Sequence, residues 1–257
     1  MKRLFIHILT IGFLFASFNL NAQDFYFSLH GGYNIGLSKS THHYLNPTGA
    51  FFQEELETYD YGNGIGLGMS AGYMFSENWG INLGLSYRKS QQFEFELEDL
   101  THHSDMFLVN PGLVLSTGNS DFKPYALVGF VLGFGKITSV ADQNMLYSKE
   151  ELYGGFALGF NTALGMEYGI SDKLKLFAEC NLLSLSWAPE KAQLVEYQLN
   201  GMDYLDDLSR VEKEVDFVNE YLQSYELDGQ ENEPQKALKY NYSFSSVGFK
   251  IGVKIVL

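Results

Sequence analysis

Two histidine pairs are the first places where this sequence could do chemistry. They are His42 and His43 in STHHYL, and His102 and His103 in LTHHSD, with Asp60, Asp99 and Asp105 close by in sequence. Imidazole nitrogens suit zinc, copper or nickel. A His–Asp pair could also activate a water or a hydroxyl for hydrolysis. Neither pattern is complete: adjacent imidazoles diverge, and no HExxH or CxxC spacing occurs. The expectation is therefore no metal, no cofactor and no catalytic residue, with the four histidines as ordinary polar loop residues.

The elements that must hold these residues are strands. Successive side chains of a strand face opposite ways, and eight segments alternate accordingly. In Gly64 to Phe75, GIGLGMSAGYMF, large apolar residues alternate with residues that have almost no side chain. The others run from Phe25 to Leu37, Gly80 to Arg88, Met106 to Thr117, Pro124 to Lys136, Phe156 to Tyr168, Leu174 to Trp187 and Val247 to Leu257. A soluble sheet would put Lys, Glu or Thr on its wet face. Here one face is greasy and the other is mostly Gly, Ala, Ser and Asn, which suits lipid outside and a cramped interior inside.

The connections alternate too. Short ones at Ser76 to Asn78, Gly118 to Asp121 and Ser171 to Lys173 separate long ones at Ser38 to Asn63, Lys89 to Ser104, Ile137 to Leu152 and Ala188 to Lys239. That order predicts an all-β, eight-stranded antiparallel transmembrane β-barrel with tight periplasmic turns and long outer loops. Closure is obligatory, because an unpaired backbone group in hydrocarbon costs several kcal/mol. Tyr73, Phe75, Trp79, Tyr125 and Tyr168 would form the inner aromatic girdle, and Tyr61, Tyr87, Phe93, Tyr153 and Trp187 the outer one.

Six charges share the inward parity: Arg88, Glu167, Lys175, Glu179, Lys250 and Lys254. Unpaired charges in so narrow a bore are costly, so an ion-pair network plugging the lumen is expected. Its alternative is a charged ring lining a narrow conducting path.

Residues 1–22 read as a secretory signal: Lys2 and Arg3, an apolar run from Leu4 to Ala16, and Leu20-Asn21-Ala22 before Gln23. That leaves 23–257 as one barrel domain. Removing Lys2 and Arg3 from the 17 basic residues leaves 15 against 31 acidic, a formal charge of −16, which argues against a nucleic-acid partner. Cys180 is the only cysteine, so no intrachain disulfide forms.

KPYALVGFVLGFG (Lys123 to Gly135), GMEYGISDKLKLFAE (Gly165 to Glu179) and FSSVGFKIGVKIVL (Phe244 to Leu257), taken with the eight segments, resemble small outer-membrane β-barrel proteins of the OmpA/OmpX-like superfamily, in a Bacteroidetes style. The resemblance implies residence in the outer membrane, contact with its lipid, and insertion by the barrel-assembly machinery. Members usually end on an aromatic residue, whereas this chain ends on Leu257.

The loop at 188–240 stands apart. Leu205, Leu208, Val211, Val215, Val218 and Leu222 recur at spacings of three and four, which predicts an amphipathic helical insertion in this last extracellular loop. From Ala188 to Lys239 there are 13 acidic residues against five basic ones, so an extracellular partner at this acidic loop is one expectation. Together these features predict a non-enzymatic outer-membrane barrel, structural or partner-binding through its loops. A narrow channel for small or apolar solutes and a rim enzyme of protease or acyltransferase type are the alternatives.

Overall fold

The computed structural model describes residues 24–38, 40–48, 51–95, 99–117, 122–220 and 232–257; the expected signal segment lies outside them. In chain order the strands are β1 (Asp24–Gly36), β2 (Ser40–Thr48), β3 (Phe51–Tyr59), β4 (Gly64–Met74), β5 (Trp79–Ser90), β6 (Phe93–Phe95), β7 (Leu100–Ser116), β8 (Phe122–Gln143) and β9 (Leu146–Tyr153). They continue as β10 (Ala157–Gly169), β11 (Leu174–Trp187), β12 (Lys191–Leu199), β13 (Met202–Asp203), β14 (Glu214–Val218), β15 (Gln235–Leu238), β16 (Tyr242–Ser243) and β17 (Ser246–Val256).

Eight of these close a ring. Going round, β1, β4, β5, β7, β8, β10, β11 and β17 each pair antiparallel with the next, and β17 returns to β1 through Tyr26↔Val256 to Gly36↔Ser246. The predicted fold is the observed one. No strand edge is left in the belt, as hydrocarbon requires. The outward row is apolar and uncovered: Leu29 is 59% exposed, Leu67 64% and Leu164 72%. In water so broad an apolar surface would be an aggregation liability; against acyl chains it is the solvated side.

Inward, two rings set the spacing. Tyr26 and Tyr125 lie flat across neighbouring strands because Gly72 and Gly165 give them room; a Cβ at either glycine would collide with the tyrosine ring. Both rings are buried, Tyr26 at 4% exposure and Tyr125 at 9%, so Tyr125 fills the lumen and is not part of the expected girdle. The Tyr73, Phe75 and Trp79 rings do cluster at the short-turn end.

The long-loop end departs most from the sequence reading. Where a loop was expected at 137–152, β8 runs on past the belt for 22 residues in all and turns back as β9. β9 pairs with β12, β12 with β14, and β14 runs parallel to β15. A sheet six strands wide, from β7 through β8, β9, β12 and β14 to β15, thus rises from the barrel wall. β2 and β3 form a separate hairpin in the first long connection. Asn200 and Gly201, with φ of 52° and 77°, make the tight turn from β12 to β13.

The expected amphipathic helix is corrected to a single turn, Arg210–Lys213, after a short 3-10 turn at Leu205–Asp207. Leu205 and Leu208 belong to that 3-10 turn and its end, and Val211 to the helical turn. Val215 and Val218 lie on β14, and Leu222 falls outside the described residues. The reason is local. Glu214-Val215-Asp216-Phe217-Val218 also alternates with period two, and β12 and β15 supply strand partners on both sides. β-branched residues favour that outcome over a helix.

Candidate functional site

The inward row of side chains changes character along the barrel axis. At the long-loop end it is apolar: Met106, Leu108, Val131, Ile137, Leu183, Leu185 and Trp187 are each no more than 2% exposed. Tyr61 and Phe244 stack above them with centroids 5.7 Å apart. Tyr242, Phe93 and Phe217 from the loops pack on the same cluster. The Trp187 indole N–H donates to the carbonyl of Gly154 at 3.1 Å. Trp187 and Tyr61, expected in the outer girdle, are therefore the centre of a dry cap over the mouth. Its signal was legible as the switch from glycine and polar residues to Leu, Val and Trp on the inward parity.

Below the cap the lining is polar, and β17 carries it in steps of four, at Ser246, Lys250 and Lys254. Nearest the cap, Arg88 donates from Nη1 to Ser246 Oγ at 2.8 Å; among the described residues it meets no carboxylate, so it stands apart from the ion pairs expected for it. Next, Glu179 and Lys250 are direct register partners on β11 and β17. Lys250 Nζ donates to Glu179 Oε1 at 3.1 Å, and the Tyr125 hydroxyl donates to Oε2 at 3.0 Å. Lowest, Glu167 takes an ion pair from Lys254 and a longer one from Lys175 at 3.8 Å. Lys175 reaches it diagonally, because in register Glu167 faces Phe177 and Lys175 faces Gly169. The Lys254 ammonium also sits 4.2 Å from the Tyr26 ring centroid, an added cation–π contact. Tyr26 in turn donates to Asn82 Oδ1 at 3.1 Å.

Between these tiers lies a cavity of about 60 Å³ lined by Tyr26, His30, Asn82, Tyr125, Glu179 and Lys250. It has room for a few waters and for no larger solute. Tyr26, Asn82 and Tyr125 were not among the residues expected in the lumen network, and their inward parity beside glycines marks them.

The histidine pairs are not brought together. His42 and His43 lie on β2 in register with Glu57 and Leu56, and their side chains are outside the described residues. His102 and His103 lie at the upper end of β7, where burial lowers the His103 pKa. His102 Nδ1 and Ser139 Oγ are 2.9 Å apart. In register His102 faces Ser139 on β8 and Phe93 on β6. No group of three His, Cys, Asp or Glu side chains suited to a metal occurs among the described residues.

A closed eight-stranded barrel with an apolar exterior and a filled lumen is an integral barrel of the outer-membrane type. The chain belongs to the family described as outer membrane protein beta-barrel domain, whose model matches residues 8–207. Among solved structures it is similar to Neisserial surface protein A, at 10% identity and a TM-score of 0.42, over 91% of this chain and 99% of that one. It is likewise similar to Ail, the attachment invasion locus protein of Yersinia pestis, at 10% identity and a TM-score of 0.41, over 91% of this chain and 97% of that one. No curated protein sequence matches it.

Proposed function

We propose that this protein is a non-enzymatic, non-conducting barrel of the OmpA/OmpX-like kind. Its role is to hold a rigid extracellular sheet where a partner can reach it. The observation that carries the reading is the double closure of the lumen. A dry cap built on Trp187 covers the outer end, and two ion-pair tiers around Glu179 and Glu167 occupy the inner half. A barrel sealed twice has little use as a channel, while its β7–β8 wall extends outward as a built surface. That surface carries the acidic segment, so a cationic partner suits it best, through contacts that salt screens.

The alternative of a narrow channel is opposed by both closures. In planar bilayers the purified protein is expected to give no steady conductance. Deleting 191–239 is expected to leave the barrel folded and to abolish salt-sensitive binding of a polylysine probe at the cell surface. Steady conductance from the intact chain overturns the closed reading. Unchanged probe binding after the deletion overturns the assigned surface.

A further inference from the structure

The lipid-facing wall is not smooth. Along β11 the outward row is Leu174, Leu176, Ala178, Cys180 and Leu182, so two small residues follow one another in mid-strand. Their register partners are long. Ala178 lies between Met166 on β10 and Ile251 on β17, and Cys180 between Leu164 and Phe249. Beyond Ile251 the next outward residue in the row is Gly31 on β1. Short side chains flanked by long ones cut a groove of about 740 Å³, lined almost wholly by carbon, including Leu29, Gly31, Ala178, Ile251 and Val253. That volume falls within the roughly 300–1,000 Å³ of ordinary ligand sites. At its lower end the Phe122 and Tyr168 rings lie 4.8 Å apart. The turn just beneath carries an exposed lysine, Lys173.

We propose that this groove is a site for one phospholipid of the inner leaflet, with an acyl chain lying along β11 and the phosphate met by Lys173. The inference rests on the membrane reading and adds a ligand to it. The groove is continuous with the lipid-facing surface, so the guest comes from the bilayer. It lies below mid-strand and ends at the short-turn aromatic pair, which places it in the inner half. An unbranched chain lying in it meets more protein than one on the wall beside it. Dispersion contacts of about 0.1–0.2 kcal/mol per atom pair add up over its length. The cation at the foot selects a phosphate headgroup.

The test is lipid retention. The full chain is extracted from membranes in a mild non-ionic detergent, and its mass and bound lipid are read by native mass spectrometry. Wild type is expected to carry one phospholipid per barrel. Ala178→Trp, which fills the groove, is expected to lower the retained fraction about tenfold, and Lys173→Glu several-fold. Leu83→Trp, on the opposite wall, is expected to leave retention unchanged. Heat-modifiable gel mobility checks that each variant is folded. Equal retention in Ala178→Trp and Leu83→Trp, a lipopolysaccharide mass in place of a phospholipid, or a second copy of the chain on that face overturns the proposal. Should Ala178→Trp fail to fold, the single cysteine serves instead. A fluorophore on Cys180, exposed and one outward position above Ala178 on β11, is expected to show a slow quenching component with chain-brominated phospholipid. The same label on Leu83→Cys in a Cys180→Ser background is expected to lack it, and identical quenching at the two sites overturns the site. Failure of the membrane reading itself is distinguishable, since the chain then stays in the aqueous fraction without detergent.

Discussion

Replacing Glu179 with Gln keeps the shape of the side chain and removes one charge, so it isolates the electrostatics of the middle tier. In the native barrel the carboxylate is 8% exposed and binds Lys250 at 3.1 Å and the Tyr125 hydroxyl at 3.0 Å, one on each oxygen. The variant leaves the Lys250 ammonium, whose side chain is 18% exposed, with no opposite charge in its tier. Removing one partner of a buried pair costs about 3–5 kcal/mol. The neighbouring cavity of about 60 Å³ admits some water, so the low end, about 3 kcal/mol, is expected. By contrast, the surface pair Lys149–Glu196 is shorter at 2.9 Å but 30% and 42% exposed, and its loss is expected to cost about 0–1 kcal/mol. Burial, not distance, decides. The double variant Glu179→Gln/Lys250→Met removes both charges and is expected to lie within about 1 kcal/mol of wild type, because an apolar pair can replace a buried ion pair at little cost. The assay is urea unfolding of the barrel in lipid vesicles, followed by tryptophan fluorescence and heat-modifiable mobility. If the single variant loses under about 0.5 kcal/mol, or the double loses the full sum of both singles, the tier is not a coupled buried pair and the reasoning fails.

Trp187→Ala empties the centre of the cap and is expected to cost about 3–5 kcal/mol in the same unfolding assay. Because the ion-pair tiers remain below it, the variant is still expected not to conduct. Gly72→Val or Gly165→Val drives a side chain into the ring of Tyr26 or Tyr125 and is expected to abolish the folded, heat-modifiable band. Tyr26→Ala is expected to restore it for Gly72→Val. On β9, burial raises the Glu150 carboxyl pKa above its ordinary value, so the folded sheet binds more protons than the unfolded chain across the window between the two. Stability of the β8–β9–β12 sheet therefore rises as the solution is acidified from neutral pH into that window and falls as pH is raised through it. Glu150→Gln is expected to stabilise that sheet at neutral pH and flatten the dependence, read by amide hydrogen exchange.

Much of the barrel was legible because lipid demands a strict alternation and closure leaves few topologies. The greasy parity of β1, β4, β5, β10 and β17 corresponds residue by residue to the outward face. Glu179 and Lys250 share the inward parity in the sequence, and the register of β11 and β17 makes them partners. The loops were less legible, because their strands do not contend with lipid and alternate only weakly. Spacings of three and four from Leu205 to Leu222 fit a helix, while Glu214 to Val218 fits a strand equally well. What decided was the open edge of β12, supplied by residues far away in sequence. The cap was missed for a related reason. An aromatic such as Trp187 near a membrane surface suits a girdle, and only its inward parity together with Tyr61 and Phe244 from two other connections marks it as core.

The extension above the membrane owes its order to the barrel beneath it. An isolated sheet edge of this size would be marginal in water, since a few short strands bury little on their own. Here β7 and β8 enter the extension already paired, with Asp105↔Lys136 continuing into Leu100↔Ala141 without a break, and the entropy of bringing those strands together is met within the belt. β9 and β12 then add to a template that is already in register, and the cap residues Ile137, Leu152 and Ala192 give the sheet a dry face to rest on. The same arrangement leaves the opposite face and the β15 edge turned outward. A surface held by strands that cross the membrane loses little freedom on meeting a partner. On the proposed partner-binding reading, the barrel's contribution to binding is rigidity.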